Sequence, residues 1–347
     1  MIRTSFVVLL YLNCLFAIEF EVAAQEFTAE GELTYRVFYK GATRWNIQKS
    51  YSLKRSGNHW LIHTSDMAGV DEPNHSILYE ETGCDGANIF QLEVEDTFTK
   101  SWQALKSGKP PVLDDPKLIT VSGKVSDGMV PVGTDFVSPP PIGANAIWLA
   151  FTATPYFDGI TNGKVRTLEM IPKQFPELKE VQADWQKDAE FPHLLQSVNY
   201  HNNGQTVAWL PDGKEGIETL PAPYERGYVD ATFTASGFTN LDGFHVPMQF
   251  AYTAYWPNFS DSNLVVASCV EGKLIRFKAG VEDKSFYPKF IRKAIVTDKR
   301  FEKEGVKDFN YTIEKDGVWW ATNNPKITDY LKFYKKHYSK LMPQPKK

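Results

Sequence analysis

The sequence predicts a mainly β, β-rich α+β fold: a curved antiparallel sheet, or a half-barrel, around a buried central helix, with a C-terminal amphipathic helix closing the chain. Three observations carry this expectation. Eight Asn-Gly or Asp-Gly pairs punctuate the 347 residues, and these residue types accept the positive φ that tight hairpin turns demand. The segments between them alternate apolar and polar residues with a period of two, as half-buried strands do. The aromatic load is 9 Trp, 16 Tyr and 23 Phe, and such residues favour strands and fill the space beside a bent sheet.

Residues 1–24 read as a secretory signal peptide. Arg3 supplies the positive start, Phe6 to Phe20 is an apolar run interrupted by Asn13 and Glu19, and Val22-Ala23-Ala24 is a small-residue cleavage pattern before Gln25. An apolar run of about 15 residues is too short for a bilayer span, which needs roughly 20. The mature chain is therefore expected in the periplasm or outside the cell, with no transmembrane segment after signal removal. Cys14 lacks the preceding Leu and small residues that mark a lipid-modified cysteine.

Residues 25–137 form the first expected antiparallel β region. Leu33, Tyr35, Val37 and Tyr39 fall on one face; Trp45, Ile47, Tyr51 and Leu53 oppose Asn46, Gln48, Ser50 and Ser52; Phe90, Leu92 and Val94 oppose Gln91, Glu93 and Glu95. Residues 138–156 follow as a proline-rich linker, Pro139-Pro140-Pro141, and a short apolar helix from Ala144 to Thr152 that Pro155 is expected to stop. Apolar on all sides, that helix is expected to be buried. Residues 157–320 form a second β-rich region, whose longest alternating strand places Val246, Met248, Phe250, Tyr252, Ala254 and Trp256 against Gln249, Ala251 and Thr253. Lys40-Gly41 and Glu271-Gly272 read as further turns. Residues 321–347 hold the closing helix and tail, with Asn324 as N-cap, Pro325 at the first helical position, and Ile327, Tyr330, Leu331, Tyr334, Tyr338 and Leu341 at helical spacing. Lys332, Lys335, Lys336 and Lys340 form its solvated side.

An apolar fraction of 42% fills a core without staples. The balance of 38 basic against 42 acidic residues, net -4, offers no global attraction to nucleic acid or to an anionic membrane. For Cys84 and Cys269 two alternatives stay open, two thiols or one disulfide closing a very long loop, because export permits the bond and spacing does not decide it.

Catalytic chemistry finds no motif. His59 and His63, with His75 nearby, sit in a strand pattern where four residues span about 13 Å, too far for one ion to meet both imidazoles. There is no Gly-x-Ser-x-Gly elbow, no glycine-rich phosphate loop, and no cysteine in a thiolate-forming context. No catalytic residue, metal or cofactor is assigned, which points away from an enzyme. A carboxylate pair for glycoside hydrolysis is a spatial feature and stays open; Asp184, Asp188 and Glu190 beside Trp185 are one such cluster, read as a solvated loop or helix face. The triplets at Asn74, Asn258 and Asn310 matter only in a host that glycosylates its exports.

The order of elements resembles a known class. A signal peptide, wide strands such as Gly31-Glu-Leu-Thr-Tyr-Arg-Val-Phe-Tyr-Lys40, the hairpin Tyr79…Gly83-Cys-Asp-Gly86…Ile89-Phe90 and an apolar helical lid resemble exported bacterial proteins with a lipoprotein-carrier-like half-barrel, over about Glu26 to Phe157. The chain is equally similar to secreted bacterial proteins of unknown function. The first resemblance implies a concave apolar sheet, closed by helices, that shelters acyl chains. Trp148 and Phe151 on the lid and Phe250, Tyr252 and Trp256 on the long strand are the residues expected to line such a groove. The resulting expectation is a secreted, non-enzymatic protein that binds a lipid-like or other apolar small molecule. Beside it stand an exported glycan-binding or glycan-active protein, and a structural envelope protein whose partner is an envelope component.

Overall fold

The computed structural model describes residues 26–39, 41–67, 77–96, 119–131, 142–168, 175–210, 213–289, 294–304, 309–313, 319–320 and 324–338. The signal-peptide reading, Cys14, Lys40, Asn74, His75, the proline run at 139–141, Asp316-Gly317, Lys340 and Leu341 lie outside the described residues. Among the described residues no helix is long and apolar enough to cross a membrane.

In chain order the first strands are β1 (Glu26–Tyr39), β2 (Ala42–Ser56), β3 (His59–Asp66), β4 (Ile77–Asp85), β5 (Asn88–Asp96) and β6 (Ile119–Asp127). Helices α1 (Ile142–Phe151) and α2 (Thr154–Asp158) follow. Next come β7 (Lys164–Arg166), β8 (Glu180–Lys187), β9 (Leu195–Asn202), β10 (Gln205–Trp209), β11 (Glu215–Thr219) and β12 (Tyr228–Ser236). The chain ends through β13 (Thr239–Leu241), β14 (Phe244–Val246), β15 (Gln249–Asn258), β16 (Asn263–Ala279), β17 (Ile295–Asp298), β18 (Phe309–Thr312) and helix α3 (Pro325–Tyr338).

Fourteen of these strands make one curved, open sheet in the order β18-β17-β6-β5-β4-β3-β2-β1-β16-β15-β12-β9-β8-β7. The pairs β10–β11 and β13–β14 are separate ribbons. Strands from both expected β regions thus share one sheet, joined where β1 runs antiparallel to β16 from Phe27↔Ala279 to Val37↔Ser268. Among the described pairings one is parallel: β17 lies beside β6 in the same direction. A parallel neighbour requires a crossover, and the segment after β16 provides it by passing over β4 on the face away from α1, hereafter the outer face. There Lys289 N donates to Glu81 Oε2 at 2.7 Å. The Phe286 carbonyl oxygen comes so close that a Cβ on Gly83 would lie 2.1 Å from it.

Turn chemistry divides the glycine pairs. Asp242-Gly243, joining β13 to β14, has both residues at positive φ, 52° and 82°, as a type I′ turn requires. At Asp85-Gly86 only the glycine is positive, at 85°, and Asp85 Oδ1 accepts from the N–H groups of Ala87 and Asn88 at 3.0 and 2.8 Å instead. Two expected turns are corrected. Asp158-Gly159 closes α2, with Gly159 at φ -77°. Glu271-Gly272 lies inside β16, where the missing side chain lets the Phe250 ring lie on the strand; a Cβ there would meet that ring at 2.2 Å.

Helix α1 is buried on every side from Ala144 to Phe151. Pro155 does not stop it. The N–H groups of Thr152 and Ala153 both bond the Trp148 carbonyl, at 2.8 and 2.9 Å, and Pro155 opens α2, where a missing N–H costs nothing. The C-terminal carbonyl of Phe151 receives Nη1 of the buried Arg55 of β2 at 2.7 Å, while Arg55 Nε holds the Gly57 carbonyl at 3.0 Å. A cation here meets both an orphan carbonyl and the negative end of the helix. Burial lowers the Arg55 pKa to about 10, which leaves it charged at neutral pH.

Each face of the sheet has its own core. On the inner face α1 packs with Phe27, Tyr51, Leu53, Trp60, Phe250 and residues of β8, β9 and β12. On the outer face Phe90, Leu92 and Val94 of β5 join Val296, Phe309, Tyr311 and Ile327. Asp298 and Arg300 are buried against that second core and pair at 2.9 Å (Nε–Oδ1), with Arg300 Nη2 also reaching the Trp320 carbonyl at 2.8 Å. Helix α3 brings Ile327 to it and is capped as expected, Asn324 Oδ1 accepting from Lys326 N at 2.9 Å.

The disulfide alternative is corrected: both cysteines are free. Cys84 is on β4 and Cys269 on β16, four strands apart in the sheet, a separation of about 19 Å along the hydrogen-bonding direction. Burial pushes the Cys84 thiol up to about 12, which makes it a packing residue.

Two outcomes are expected. Trp148→Ala lowers unfolding free energy by about 3–5 kcal/mol, read by urea denaturation, because the indole is fully buried and the rigid surroundings keep the cavity. His63, on the outer face of β3, lies 4.4 Å from the Tyr79 ring, and its buried Nε2 has no hydrogen-bond partner in the protein. Burial pushes its pKa below the ordinary value, Glu81 pulling it back and Lys49 pushing it further down. The unfolded chain takes up that proton first, so His63 leaves stability intact above about pH 6.5 and erodes it as pH falls toward the depressed folded pKa. The drop in urea midpoint on acidification should shrink in His63→Gln.

Candidate functional site

The register of the sheet divides the inner face into rows that cross neighbouring strands. One row is Ala235–Phe250–Gly272–Leu33–Lys49–Asp66. The next is Val198–Phe233–Tyr252–Val270–Tyr35–Ile47, and the one beyond it Tyr200–Ala231–Ala254–Ser268–Val37–Trp45. Further along β15 the alternation reaches Trp256.

Helix α1 covers only part of this face. A Cβ on Gly143 would lie 3.1 Å from Leu33 Cδ1 and 3.9 Å from Thr64 Cγ2, so the first turn of α1 sits over the Leu33 row. At the other end Phe151 meets Phe250 edge-on at 5.8 Å and Phe27 at 6.5 Å. The rows beyond Leu33 therefore continue past the helix. Along β15 they pass from buried Phe250 and Tyr252 to half-buried Ala254 and then to Trp256, 57% exposed, while Tyr39 at the end of β1 is 54% exposed.

The five residues expected to line a groove under the helix are thus distributed differently. Phe151 and Phe250 do touch, and Tyr252 lies in the next row, but all three are buried in the inner core. Trp148 turns toward Tyr156 and Phe157, at 5.7 and 6.3 Å, and is 1% exposed. Among the described residues, the side chains that pack with α1 are buried. Trp256 stands apart at the rim, where the β15–β16 pairing shifts between Ala254 and Tyr255.

A polar group adjoins the apolar rows. Tyr51, Thr64, Glu80 and Glu93 are successive cross-strand neighbours on β2 to β5. Thr64 Oγ1 donates to Glu80 Oε2 at 3.0 Å, and Lys49 Nζ lies 3.3 Å from Asp66 Oδ1 and 3.9 Å from Glu80 Oε2. Burial pulls the Lys49 pKa down, yet Asp66, Glu80 and Glu93 outweigh it and hold the ammonium above its ordinary value. Among the described residues, the hydroxyls of Tyr35 and Tyr51 and both amide atoms of Asn145 are buried with no hydrogen-bond partner in the protein. Sequence pattern carried a signal for this group. Lys49 stands between Ile47 and Tyr51 on the inward side of β2, and Asn145 is the polar residue of an otherwise apolar helix.

The outer face carries a hollow of about 420 Å³ lined by Glu32, Thr34, Gln48, Gln249, Glu271 and Lys273 among others. Its carboxylates are paired, Glu32 with Lys273 at 2.8 Å and Glu271 with Arg36 at 2.9 Å. The one aromatic residue of the lining, Phe250, buries its ring in the inner core, so the hollow presents no stacking platform for a sugar. Asp184 and Trp185, read as a loop or helix face, lie on β8 instead, and Asp184 Oδ2 is 2.9 Å from His201 Nε2.

Lys49→Met leaves Asp66 and Glu80 buried beside an apolar chain and is expected to cost about 3–5 kcal/mol in urea unfolding at neutral pH.

No family model matches the chain, and no curated protein matches it. Solved structures matched by the chain include a LolA superfamily protein from Nitrosomonas europaea, 9% identical with a TM-score of 0.31 over 77% of this chain and 94% of that one. A DUF1329 family protein from Desulfovibrio piger is 8% identical, TM-score 0.30, over 76% and 90%. A β-barrel-like protein of the domain of unknown function DUF1849 from Brucella abortus is 10% identical, TM-score 0.20, over 74% and 99%.

Proposed function

We propose that the protein is exported and works without catalysis, holding the acyl chain of a lipid-like ligand on the inner face of its sheet. The observation that carries this reading is the uninterrupted apolar course of β15 and β1 from the core under α1 to the rim at Trp256 and Tyr39. At the end of that apolar row the exposed indole of Trp256 offers an apolar contact to a ligand. The acyl chain would dock at this rim, beside Trp256 and Tyr39, where the apolar rows of β15 and β1 come to the surface. Buried Trp148 and Phe151 hold the lid to the sheet.

The sequence supports the address: residues 1–24 have the layout of a signal peptide. Native mass spectrometry of the purified protein should find acyl ligands, or a fluorescent fatty-acyl probe should titrate to saturation; silence in both ends the reading. Trp256→Ser should weaken probe binding about tenfold, equivalent to about 1.4 kcal/mol, with an unchanged melting temperature. A stability loss without a change in uptake would assign Trp256 to packing alone.

A further inference from the structure

The hairpin that joins β15 to β16 runs past the strands on either side of it. β12 pairs with β15 as far as Ala231↔Ala254, and β1 pairs with β16 as far as Val37↔Ser268. Among the described pairings, residues 255–258 and 263–266 therefore pair only with each other. Four residues of strand carry the turn about 13 Å beyond the last shared rung. A two-stranded ribbon is marginal in water by itself. Tyr224 braces this one, its hydroxyl donating to the Asn258 carbonyl at 3.4 Å and its ring meeting Phe259 edge-on at 5.6 Å.

Both faces of the ribbon are apolar. Trp256 lies opposite Val265 on the inner face, where the apolar row of β15 ends; Tyr255 lies opposite Val266, and Pro257 opposite Leu264, on the outer face. The acyl reading uses the inner side, through Trp256, and leaves the outer side without a purpose. There Val266 and Leu264 are 38% and 36% exposed, and Phe259 in the turn is 52% exposed. A sheet with one face in water keeps that face polar, and this ribbon does not. Residues 252–270 contain one charged side chain, Asp261, in a chain that is 23% charged. Asp261 is committed to the turn, its Oδ1 accepting from Asn263 N at 3.1 Å.

These features select the occupant. A protein partner, or a second copy, is registered by charges and hydrogen bonds around the contact, and this surface supplies few. A zwitterionic lipid surface asks for none, and its headgroup layer favours tryptophan and tyrosine rings. The polar turn and the unpaired ribbon edges keep the ribbon in that layer, out of the hydrocarbon. Resting on the acyl-binding reading above, whose rim it shares, we propose that the outer face of the β15–β16 ribbon, through Leu264, Val266 and Phe259, rests on a lipid membrane and so holds the Trp256 rim against the source of the acyl chain.

The test is flotation of the full chain with phosphatidylcholine vesicles, at low salt and at about 0.5 M salt, where attraction between charges is screened. The chain should float equally at both. Leu264→Thr combined with Val266→Thr, which keeps strand-forming residues, should lower partition about tenfold with an unchanged melting temperature and an unchanged titration of a fluorescent fatty-acyl probe. Leu264→Phe should raise partition about twofold or more, a gain that misfolding does not produce. No flotation overturns the proposal, as do flotation abolished by salt, a double variant that floats like the parent, and a lipid-free dimer that the double variant dissociates. Probe uptake without flotation removes this inference alone; flotation without probe uptake removes the acyl reading and leaves the lipid contact standing.

Discussion

The bond from Arg55 to the Phe151 carbonyl fixes where the inner face is closed and where it is not. A ten-residue helix is about 15 Å long, far less than the breadth of a fourteen-stranded sheet, so its position decides which rows are roofed. Arg55 ties the C-terminal end of α1 to β2, next to Phe27, and the helix axis then carries its first turn only as far as Leu33 and Thr64. Everything toward Trp256 lies beyond it. The bond also explains a charged residue on the apolar side of a strand: the guanidinium satisfies the Phe151 carbonyl at the helix end.

From that placement the rest of the inner face follows. Under the helix the sheet makes an ordinary close-packed core, with the missing side chains of Gly31 and Gly272 accommodating the rings of Tyr51 and Phe250. Beyond it the same alternation continues without a roof from α1, and burial declines along β15. The polar row sits at the junction of the two regimes, beside the helix start. A buried network of this kind is weak evidence for stability; here it sets a charged and hydroxyl group into the apolar inner face.

Much of this architecture was written in local pattern. Period-two alternation located β1, β2, β3, β5 and β15, the apolar stretch at residues 144–152 located α1, and Asn324-Pro325 located the start of α3. Features set by distant residues were not legible. Gly272 looks like a turn residue because its reason for being glycine is the Phe250 ring on another strand; Asp158-Gly159 looks like a hairpin because nothing local distinguishes it from a helix end. The parallel β17–β6 pair depends on a crossover that no periodicity encodes. The site was half legible. The aromatic residues on β15 were found, but whether each is core or rim depends on where α1 stops, and Lys49 and Asn145 stood out only as exceptions to a pattern.

An open sheet, unlike a barrel, ends in two unsatisfied borders. Here the bordering strands are β7, three residues long, and β18, four residues long, whereas the central strands β1, β2 and β16 have 14, 15 and 17. A long flat border invites another chain to add itself by backbone pairing and so to polymerise. By tapering from its middle outward, this molecule offers passing polypeptides little template at either border.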